Sequence, residues 1–284
     1  MDIEDLNTME NPTWCPGCGN YSLVSAIRSC IADLGWKQED TVIISGIGCG
    51  SKLPHYVNVY GFEGLHGRTL PVATGVKLAN HKLHVIAVSG DGDGYGIGAN
   101  HFLHTLRRNI DITYIVQNNE VYGLTQGQTS PTSPKGYKSP STPHGAIEEP
   151  LNPIALAVVG GATYVARAYA FDPKSMKELL LDGMRHKGFS LIDVCMPCFA
   201  FNKVITVDWF KQHMKQLSDI NHNPSDKFSA IKYSYFDNAS FYFGLFYHEQ
   251  KKTYNEELEQ LRSKPLIKQD IKNIDISKFI KEFE

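Results

Sequence analysis

Short runs of apolar and β-branched residues recur along the first two-thirds of the chain, and segments with helical spacing separate most of them. These runs predict five buried strands, at Thr41–Ser45, His84–Ser89, Ile112–Val116, Thr163–Ala168 and Ser190–Val194. Strands that alternate with helices are typical of α/β folds with a mainly parallel sheet. We therefore predict an α/β fold in which helices flank such a sheet.

Two of the helical segments can be placed from the sequence. Apolar spacing predicts a first helix from Tyr21 to about Gly35, with Asn20 or Ser22 as its cap and Gly35 as its stop. Another helix is predicted to begin near Tyr95, after a glycine-rich turn.

Two stretches interrupt the alternation. The segment from Thr125 to Pro153 is rich in Pro, Ser, Thr and Gly and is long for a passive connection, which predicts a functional loop. Beyond Asn221 the chain turns polar, passes through the apolar run Phe241–Tyr247, and ends in a charged tail. We predict a main domain over residues 1–220 and a C-terminal extension over 221–284 that packs on the domain or on a partner subunit.

Composition narrows the function classes. The 284 residues carry a formal charge of -2, which provides no broad basic field for nucleic acid or anionic membrane. The first residues are acidic where a secretory signal would be basic. The apolar segment from Ile154 to Ala170 is broken by Gly160 and Gly161 and carries Arg167, so it falls short of a membrane span. We expect a cytoplasmic protein with no nucleic-acid or membrane partner.

The glycine-rich turn after the second predicted strand is a candidate anion site. Glycines at Gly90, Gly92 and Gly94 allow backbone N–H groups to approach a ligand, and the N-terminus of the following helix favours phosphate. Such turns also join strands to helices without any ligand.

Two carboxylates within that turn favour a bound cation. Asp91 and Asp93 suit magnesium, which takes oxygen ligands and commonly bridges protein oxygens to phosphate. Asn118 and Asn119 follow the next strand and are expected at the same sheet edge, where ligands of open α/β sheets bind. Taken alone, these asparagines are more typical of a plain turn than of a metal site.

The cysteines form the third candidate site. Cys15 and Cys18 form one CxxC pair, Cys195 and Cys198 form another, and Cys49 directly follows a predicted strand. Four thiolates from such positions fit either tetrahedral zinc or a 4Fe-4S cluster, and the spacing does not separate the two. Cys30, on the apolar side of the first helix, is expected to be a buried core residue.

GDG at residues 90–92, followed by NN at 118–119, resembles the signature of thiamine-diphosphate enzymes. The resemblance implies three magnesium ligands: Asp91, the side chain of Asn119 and the main-chain carbonyl of Val121. It also implies a diphosphate site lined by Gly92, Asp93, Gly123, Leu124 and Thr125.

The blocks WCPGCG, GCGSKL, GLHGRTLPVATGVKLAN, GDGDGYGIG, NNEVYGLTQGQTSPT and MPCFAFN are similar, in order, to the β subunits of 2-oxoacid:ferredoxin oxidoreductases. This match covers residues 12–205 and implies that a 4Fe-4S cluster is held by Cys15, Cys18, Cys49 and Cys198. The match also implies that six further residues bind the cofactor: Ile47, Gly48, Gly50, Ser51, His66 and Gly90. By the same resemblance, Lys52 would be catalytic and face the substrate or the cofactor phosphates. Without the surrounding motif, Lys52 would more simply be a solvated surface residue and His66 a structural one.

Two positions depart from that family pattern. Gln126 replaces the lysine of the usual TKGQ form, and Cys195 occupies a usually apolar position. Because glutamine stands at position 126 in place of that lysine, the preferred 2-oxoacid stays open. Cys195 is expected to be a core thiol rather than a competing ligand.

The resemblance implies a CoA-dependent oxidative decarboxylation of a 2-oxoacid, such as pyruvate or 2-oxoglutarate. The products are acyl-CoA and CO₂, and electrons pass through the cluster to ferredoxin. No segment resembles the second domain that supplies the activating glutamate in thiamine enzymes, so an α subunit, or α and γ subunits, should provide it.

Two other interpretations are open at this point. One is a non-oxidative thiamine enzyme whose cysteines bind zinc, although such enzymes usually carry both cofactor domains in one longer chain. The other is a non-catalytic, zinc-stabilised assembly subunit, against which the intact Asp91 and Asn119 argue.

Overall fold

The computed structural model describes residues 2–237, 239–262, 264–270, 272 and 274–283. Ten strands are present in this part of the chain: β1 (Thr41–Ser45), β2 (Tyr60–Glu63), β3 (His84–Gly90), β4 (Ile112–Asn118), β5 (Val121–Tyr122), β6 (Gln128–Thr129), β7 (Tyr164–Tyr169), β8 (Phe189–Cys195), β9 (Met214–Gln216) and β10 (Phe241–His248). The α-helices within the same residues are α1 (Gly19–Asp33), α2 (Thr69–Ala79), α3 (Ala99–Arg108), α4 (Pro153–Gly160), α5 (Pro173–Arg185), α6 (Val207–His213), α7 (Lys227–Ser234), α8 (Tyr254–Glu257) and α9 (Ser277–Lys281).

Eight strands form one sheet in the order β2-β1-β3-β4-β8-β7-β10-β9, and β5 pairs with β6 in a small hairpin. All neighbours in the large sheet are parallel except β7 and β10. The predicted α/β fold with a mainly parallel sheet is confirmed. The carboxyl ends of the central strands β1, β3 and β4 therefore meet at one edge, where such folds bind ligands.

Apolar side chains cover both faces of the sheet. One buried cluster packs under α1 and α5 and includes Leu23, Ile115 and Met176. A second cluster packs under α2, α3 and α4 and includes Phe102 and Tyr114. Because the central strands are buried on both sides, their sequences read as continuous apolar runs.

The first helix begins earlier than predicted, and the expected cap is wrong. Helix α1 starts at Gly19 with Cys18 in the N-cap position, and no side chain caps it. A methyl group at Gly19 would lie 2.7 Å from Cβ of Ala170 and 3.0 Å from Cβ of Met196. Close packing against these residues beyond β7 and β8 therefore sets the helix start, which a capping pattern does not reveal.

The helix predicted near Tyr95 also has a different form. A π-helical turn over Gly92–Ile97 comes first, and α3 follows from Ala99. A methyl group at Gly94 would lie 2.0 Å from the Tyr114 hydroxyl, so the missing side chain allows the wide turn to pack onto the sheet.

The segment after residue 220 contributes β10, which joins the sheet beside β7. Arg167 of β7 is buried and donates hydrogen bonds to the carbonyls of Tyr242 and Ser234, at 3.1 and 3.3 Å. Residues on both sides of 220 thus share one core, and a division at this point stays a prediction. Among the described residues, no helix is long and apolar enough to cross a membrane.

Candidate functional site

A cavity of about 220 Å³ lies at the carboxyl edge of β1, β3 and β4. Most of the residues predicted to bind the cofactors line it: Ile47, Gly48, Cys49, Gly50, His66, Gly90, Asp91, Gly92, Asp93, Asn119, Val121, Gly123, Leu124 and Thr125. The loops after three neighbouring strands thus bring the glycine turn, the asparagine turn and one cysteine segment together.

Asp91 is one of two buried carboxylates that line this cavity. It directly follows β3, is 1% exposed, and accepts a hydrogen bond of 2.7 Å from the Thr132 hydroxyl. Burial raises the pKa of Asp91 to about 6, and hydrogen bonds from Ser130, Thr132 and the Asn119 backbone offset only part of that effect. A cation in the cavity would stabilise the ionised form, which is the chemistry expected of a magnesium ligand.

The two asparagines after β4 have different environments. Asn118 donates from Nδ2 to both carboxylate oxygens of Asp193, at 3.2 and 3.3 Å, and is buried below the cavity. Asn119 lines the cavity, and its Oδ1 accepts the backbone N–H of Val121 at 3.0 Å. The arrangement leaves Asn119 and the Val121 segment beside Asp91 and makes Asn118 a support.

Asp93 connects two loops rather than pointing freely into the cavity. Its Oδ1 accepts the backbone N–H groups of Ile47 and Gly67, at 3.2 and 2.7 Å, and Nδ1 of His66 at 2.6 Å. A methyl group at Gly46 would lie 2.0 Å from Asp93 Oδ2, so this loop passes directly over the carboxylate. Asp93 therefore holds the walls of the cavity in register.

Tyr122 closes the glycine turn from the other side. Its hydroxyl donates to the Gly92 carbonyl at 2.9 Å, and a methyl group at Gly92 would lie 2.3 Å from its ring. Sequence reasoning did not assign a role to Tyr122 or to Thr132, although the segment carrying Thr132 was predicted to be a functional loop. Their roles come from contacts across the fold.

The predicted cluster ligands lie beside the asparagine turn. A methyl group at Gly123 would lie 3.7 Å from Sγ of Cys198 and 3.9 Å from both Sγ of Cys49 and Nδ2 of Asn119. The indole of Trp14 donates to the Cys49 carbonyl at 2.6 Å and ties the Cys15 segment to the same loop. All four of these cysteines are free thiols, and none is fully buried.

The cysteine environment favours a positively charged centre. Burial, and then the neighbouring Cys49, Cys198 and Cys15, raise the pKa of Cys18 to about 11, while the Asn20 backbone N–H opposes the shift. Burial also raises the pKa of Cys49. Because thiolates are the ligand form, a cationic metal group is needed to hold these sulfurs deprotonated near pH 7.

Across the residues that the structure describes, no three His, Cys, Asp or Glu side chains converge closely enough to hold one metal ion. Zinc would require all four sulfurs within about 2.3 Å of one ion, whereas the thiolates of a 4Fe-4S cluster bind different irons.

Lys52 and Ser51, which were predicted to lie at the site, and Cys195, which was predicted to be a core thiol, do not line the cavity. Lys52 donates to the Thr13 hydroxyl at 3.0 Å, and the side chain of Ser51 is fully buried; neither residue lines the cavity. Cys195 is 2% exposed, within a small apolar cluster that includes Phe210. The structure thus brings Lys52 and Ser51 near the cysteine loop rather than to the cavity wall.

Two further cavity residues, besides Tyr122, had no binding role predicted from the sequence. Asn20 and Gln117 are 3% and 2% exposed and line the cavity with the residues above. Both carry buried polar atoms without a hydrogen-bond partner in the described part of the chain. Neither belongs to a glycine, carboxylate or cysteine pattern, so only the fold reveals them.

Comparison with known families agrees with this geometry. Residues 46–194 match the family of C-terminal TPP-binding domains of thiamine pyrophosphate enzymes. The fold and the cavity therefore define a thiamine-diphosphate-binding domain. Residues 198–263 match a second family, the C-terminal region of the pyruvate ferredoxin oxidoreductase beta subunit.

Individual relatives give the assignment more detail. The 2-oxoacid:ferredoxin oxidoreductase 1 subunit beta of Aeropyrum pernix is 43% identical over 87% of this chain and 81% of its own length. The 2-oxoglutarate synthase subunit KorB of Archaeoglobus fulgidus is 38% identical over 90% of this chain and 92% of its own. The chain belongs to the β subunits of 2-oxoacid:ferredoxin oxidoreductases, and it is therefore a subunit of a multisubunit oxidoreductase.

A solved structure supports the same conclusion at the level of the fold. The 2-oxoglutarate:ferredoxin oxidoreductase from Magnetococcus marinus superposes with a TM-score of 0.91 and is 35% identical. The alignment covers 100% of this chain and 96% of that chain. That protein was solved with 2-oxoglutarate, coenzyme A and succinyl-CoA bound.

Proposed function

We propose that this chain binds thiamine diphosphate through Mg²⁺ in the cavity and holds a 4Fe-4S cluster on Cys15, Cys18, Cys49 and Cys198. With an α subunit, or α and γ subunits, it would catalyse the CoA-dependent oxidative decarboxylation of a 2-oxoacid to acyl-CoA and CO₂. Electrons would leave through the cluster to ferredoxin. When bound, thiamine diphosphate supplies the electron sink for decarboxylation.

The observation that carries this proposal is that two of the cysteines and Asn119 all lie close to Gly123. A Cβ at Gly123 would be within 3.9 Å of Cys198, Cys49 and Asn119 at once. A cluster on these thiolates would therefore adjoin the cofactor cavity. Because the two sites would be so close, electrons could pass from the cofactor to the cluster. This supports an oxidative reaction rather than a non-oxidative one.

The protein's own residues account for binding and orientation. Asp91, Asn119 and the Val121 carbonyl would present oxygen ligands to magnesium, and the glycine turn leaves backbone N–H groups open to the diphosphate. Asp93 and His66 hold the opposite loops in place. The cavity is thus arranged to hold a diphosphate and a hard cation.

Exposed apolar residues at the rim of the cavity support the proposal of a partner chain. Leu65, Ile97 and Leu124 are 76%, 53% and 49% exposed, and Phe62 on the edge strand β2 is 52% exposed. Exposed apolar groups around a polar cavity are typical of an interface. We propose that the partner covers this rim and supplies the activating glutamate.

Asp91→Ala tests the cofactor assignment in the complex purified anaerobically with its partner subunits. We expect calorimetric titration with Mg²⁺ and thiamine diphosphate to show no binding, because the only carboxylate proposed as a magnesium ligand is gone, while iron content stays unchanged. Asp208→Ala is a matched control, since that carboxylate side chain is 81% exposed. Cofactor binding that persists in Asp91→Ala would contradict the assignment, and loss of iron as well would indicate misfolding.

The substrate is tested separately from the cofactors. The complex should reduce ferredoxin with a 2-oxoacid and coenzyme A, and pyruvate and 2-oxoglutarate should be compared side by side. Turnover by the isolated chain would contradict the proposed need for a partner.

A further inference from the structure

Two exposed aromatic rings lie beside the cysteine loops. Phe199 directly follows the proposed cluster ligand Cys198 and is 42% exposed. A methyl group at Gly17, in the loop of Cys15, would lie 3.6 Å from the Phe199 ring, so this ring lies against two segments that carry proposed ligands. Phe171 is 40% exposed and packs edge-on against Phe199, with ring centroids 5.8 Å apart. Adjacent exposed aromatic rings are typical of a protein interface.

This aromatic pair lies on a different part of the sheet edge from the apolar rim of the cavity. Phe171 and Phe199 follow β7 and β8, whereas Leu65 and Ile97 of the rim follow β2 and β3. The strand order β2-β1-β3-β4-β8-β7 separates the two groups. Because the rim is proposed to bind the α subunit, the aromatic pair is available to a second protein.

Neighbouring lysines make this surface basic. Lys174 and Lys203 are exposed, and neither forms a salt bridge with a residue that the structure describes. Lys203 donates from Nζ to the Phe199 carbonyl, so its charge lies beside that residue. The neighbouring carboxylate of Asp172 caps α5 by accepting a backbone N–H at 3.2 Å. A surface with an apolar centre and basic edges suits an acidic protein.

The position of the surface indicates which acidic protein binds there. An electron acceptor has to dock where the cluster is closest to solvent, because electron transfer slows steeply with distance. Cys15 and the two residues after it are exposed, and the aromatic pair lies directly beside them. We infer that Phe171, Phe199 and Lys203 form the docking surface for an acidic one-electron carrier, the ferredoxin of the proposed function. The inference rests on that function, and each oxidised ferredoxin would take one electron from the reduced cluster here.

The test removes the aromatic and the basic parts of the surface separately. Phe171→Ala deletes the ring that belongs to no ligand segment, and Lys203→Gln removes a charge while keeping an N–H donor for the Phe199 carbonyl. The complex is purified anaerobically with its partner subunits, and binding of oxidised ferredoxin from the same organism is measured by calorimetry. We expect each variant to weaken this binding about five- to tenfold. Added salt should weaken binding to the wild type more than binding to Lys203→Gln, because salt screens the lost charge.

Two matched controls change the same residue types elsewhere. Phe228→Ala removes a ring that is 85% exposed on α7. Lys252→Gln removes a charge from a side chain that is 73% exposed, in a residue whose carbonyl is bound by Asn109 before β4, at the opposite edge of the sheet. Both controls should bind ferredoxin like the wild type.

Iron, sulfide, subunit composition and reduction of methyl viologen are measured on the same samples. We expect all four to match the wild type within about twofold, because no proposed ligand changes and a small acceptor needs no docking surface. Unchanged ferredoxin affinity in both variants would overturn the inference. Loss of the partner subunits from the variant complexes would also overturn it and assign this surface to them. A wild-type complex without iron and sulfide would instead refute the proposed function itself.

Discussion

At the residue scale, the cavity depends on side chains that hold its ligands in place. The Thr132 hydroxyl lies 2.7 Å from Asp91 Oδ2 and 3.0 Å from Asn118 Oδ1, so it connects the loop after β3 to the end of β4. Asn118 is in turn held by Asp193. The orientation of Asp91 is thus set by a buried hydrogen-bond network.

Thr132→Val should weaken binding of Mg²⁺ and thiamine diphosphate by about 10–100-fold, the usual effect of removing a partner of a metal ligand. Calorimetric titration of the purified complex measures the affinity. Ser141→Ala, which removes an exposed hydroxyl from the same loop, should leave it unchanged. Equal affinities in Thr132→Val and wild type would show that Asp91 needs no such support.

A second residue-scale feature is a neutral buried histidine away from the cavity. His186 is 8% exposed, and its Nε2 lies 2.7 Å from the Thr163 hydroxyl. Burial, and then the neighbouring His248, lower the pKa of His186 to about 4. Because the unfolded chain takes up the proton near pH 6.5, the free energy of unfolding contributed by this site falls as pH drops from about 6.5 to about 4.

His186→Gln should remove that acid sensitivity while keeping a hydrogen-bond donor for Thr163. Between pH 7 and pH 4.5, the wild type should lose about 2 kcal/mol of unfolding free energy relative to the variant. Denaturant unfolding at both pH values measures this difference. The comparison is with the variant because Asp91, with its pKa raised to about 6, acts in the opposite direction in both proteins. Parallel pH curves would contradict the account.

At the element scale, the strands were predictable and the helix starts were not. Each of the five predicted strands is present, with each end within two residues of its observed position, because β1, β3, β4, β7 and β8 are buried on both faces. The edge strand β2 was missed, since all four of its residues are exposed and it carries no apolar run. Helix α1 begins where Gly19 packs on Ala170, a contact between distant parts of the chain.

The site also contains residues that the sequence could predict and residues that only the fold reveals. Local glycine, carboxylate, asparagine and cysteine patterns identified part of the cavity wall, because these residue types serve the chemistry directly. The family resemblance supplied its other predicted residues, such as Ile47, His66, Val121 and Thr125. Thr132, Tyr122, Asn20 and Gln117 occupy positions that only the fold defines. Lys52 was expected at the substrate but hydrogen-bonds to Thr13, and its catalytic role stays a prediction.

Alanine substitutions at two glycines distinguish a glycine required by packing from one that only weakens a helix. Gly50→Ala should destabilise the protein by about 1–3 kcal/mol, because its methyl group would displace the buried Gln117 amide. Gly75→Ala, inside α2 with no atom within 4 Å of its added methyl group, should stabilise by about 0.5–1 kcal/mol. Denaturant unfolding of both variants measures the contrast.

The double variant Gly50→Ala, Gln117→Ala should recover most of the lost stability, because the clash requires both side chains. If Gly50→Ala alone is as stable as Gly75→Ala, the space beside Gly50 is not reserved for Gln117.

At the scale of the whole molecule, one sheet edge brings every proposed cofactor together. The ends of β1, β3 and β4 carry the cavity, and the thiols of Cys49 and Cys198 approach the same asparagine turn. Exposed apolar residues around the cavity leave room for a partner subunit. The C-terminal segment extends the sheet through β10 on the side away from β1.

The most direct test of this account is the iron, acid-labile sulfide and zinc content of the complex purified anaerobically with its partner subunits. We predict iron and sulfide in near-equal amounts, consistent with one 4Fe-4S cluster per chain, and a spectrum that bleaches on reduction with dithionite. Stoichiometric zinc without sulfide would contradict the account, because the four cysteines would then hold a structural ion and the chain would have no route for electrons to ferredoxin.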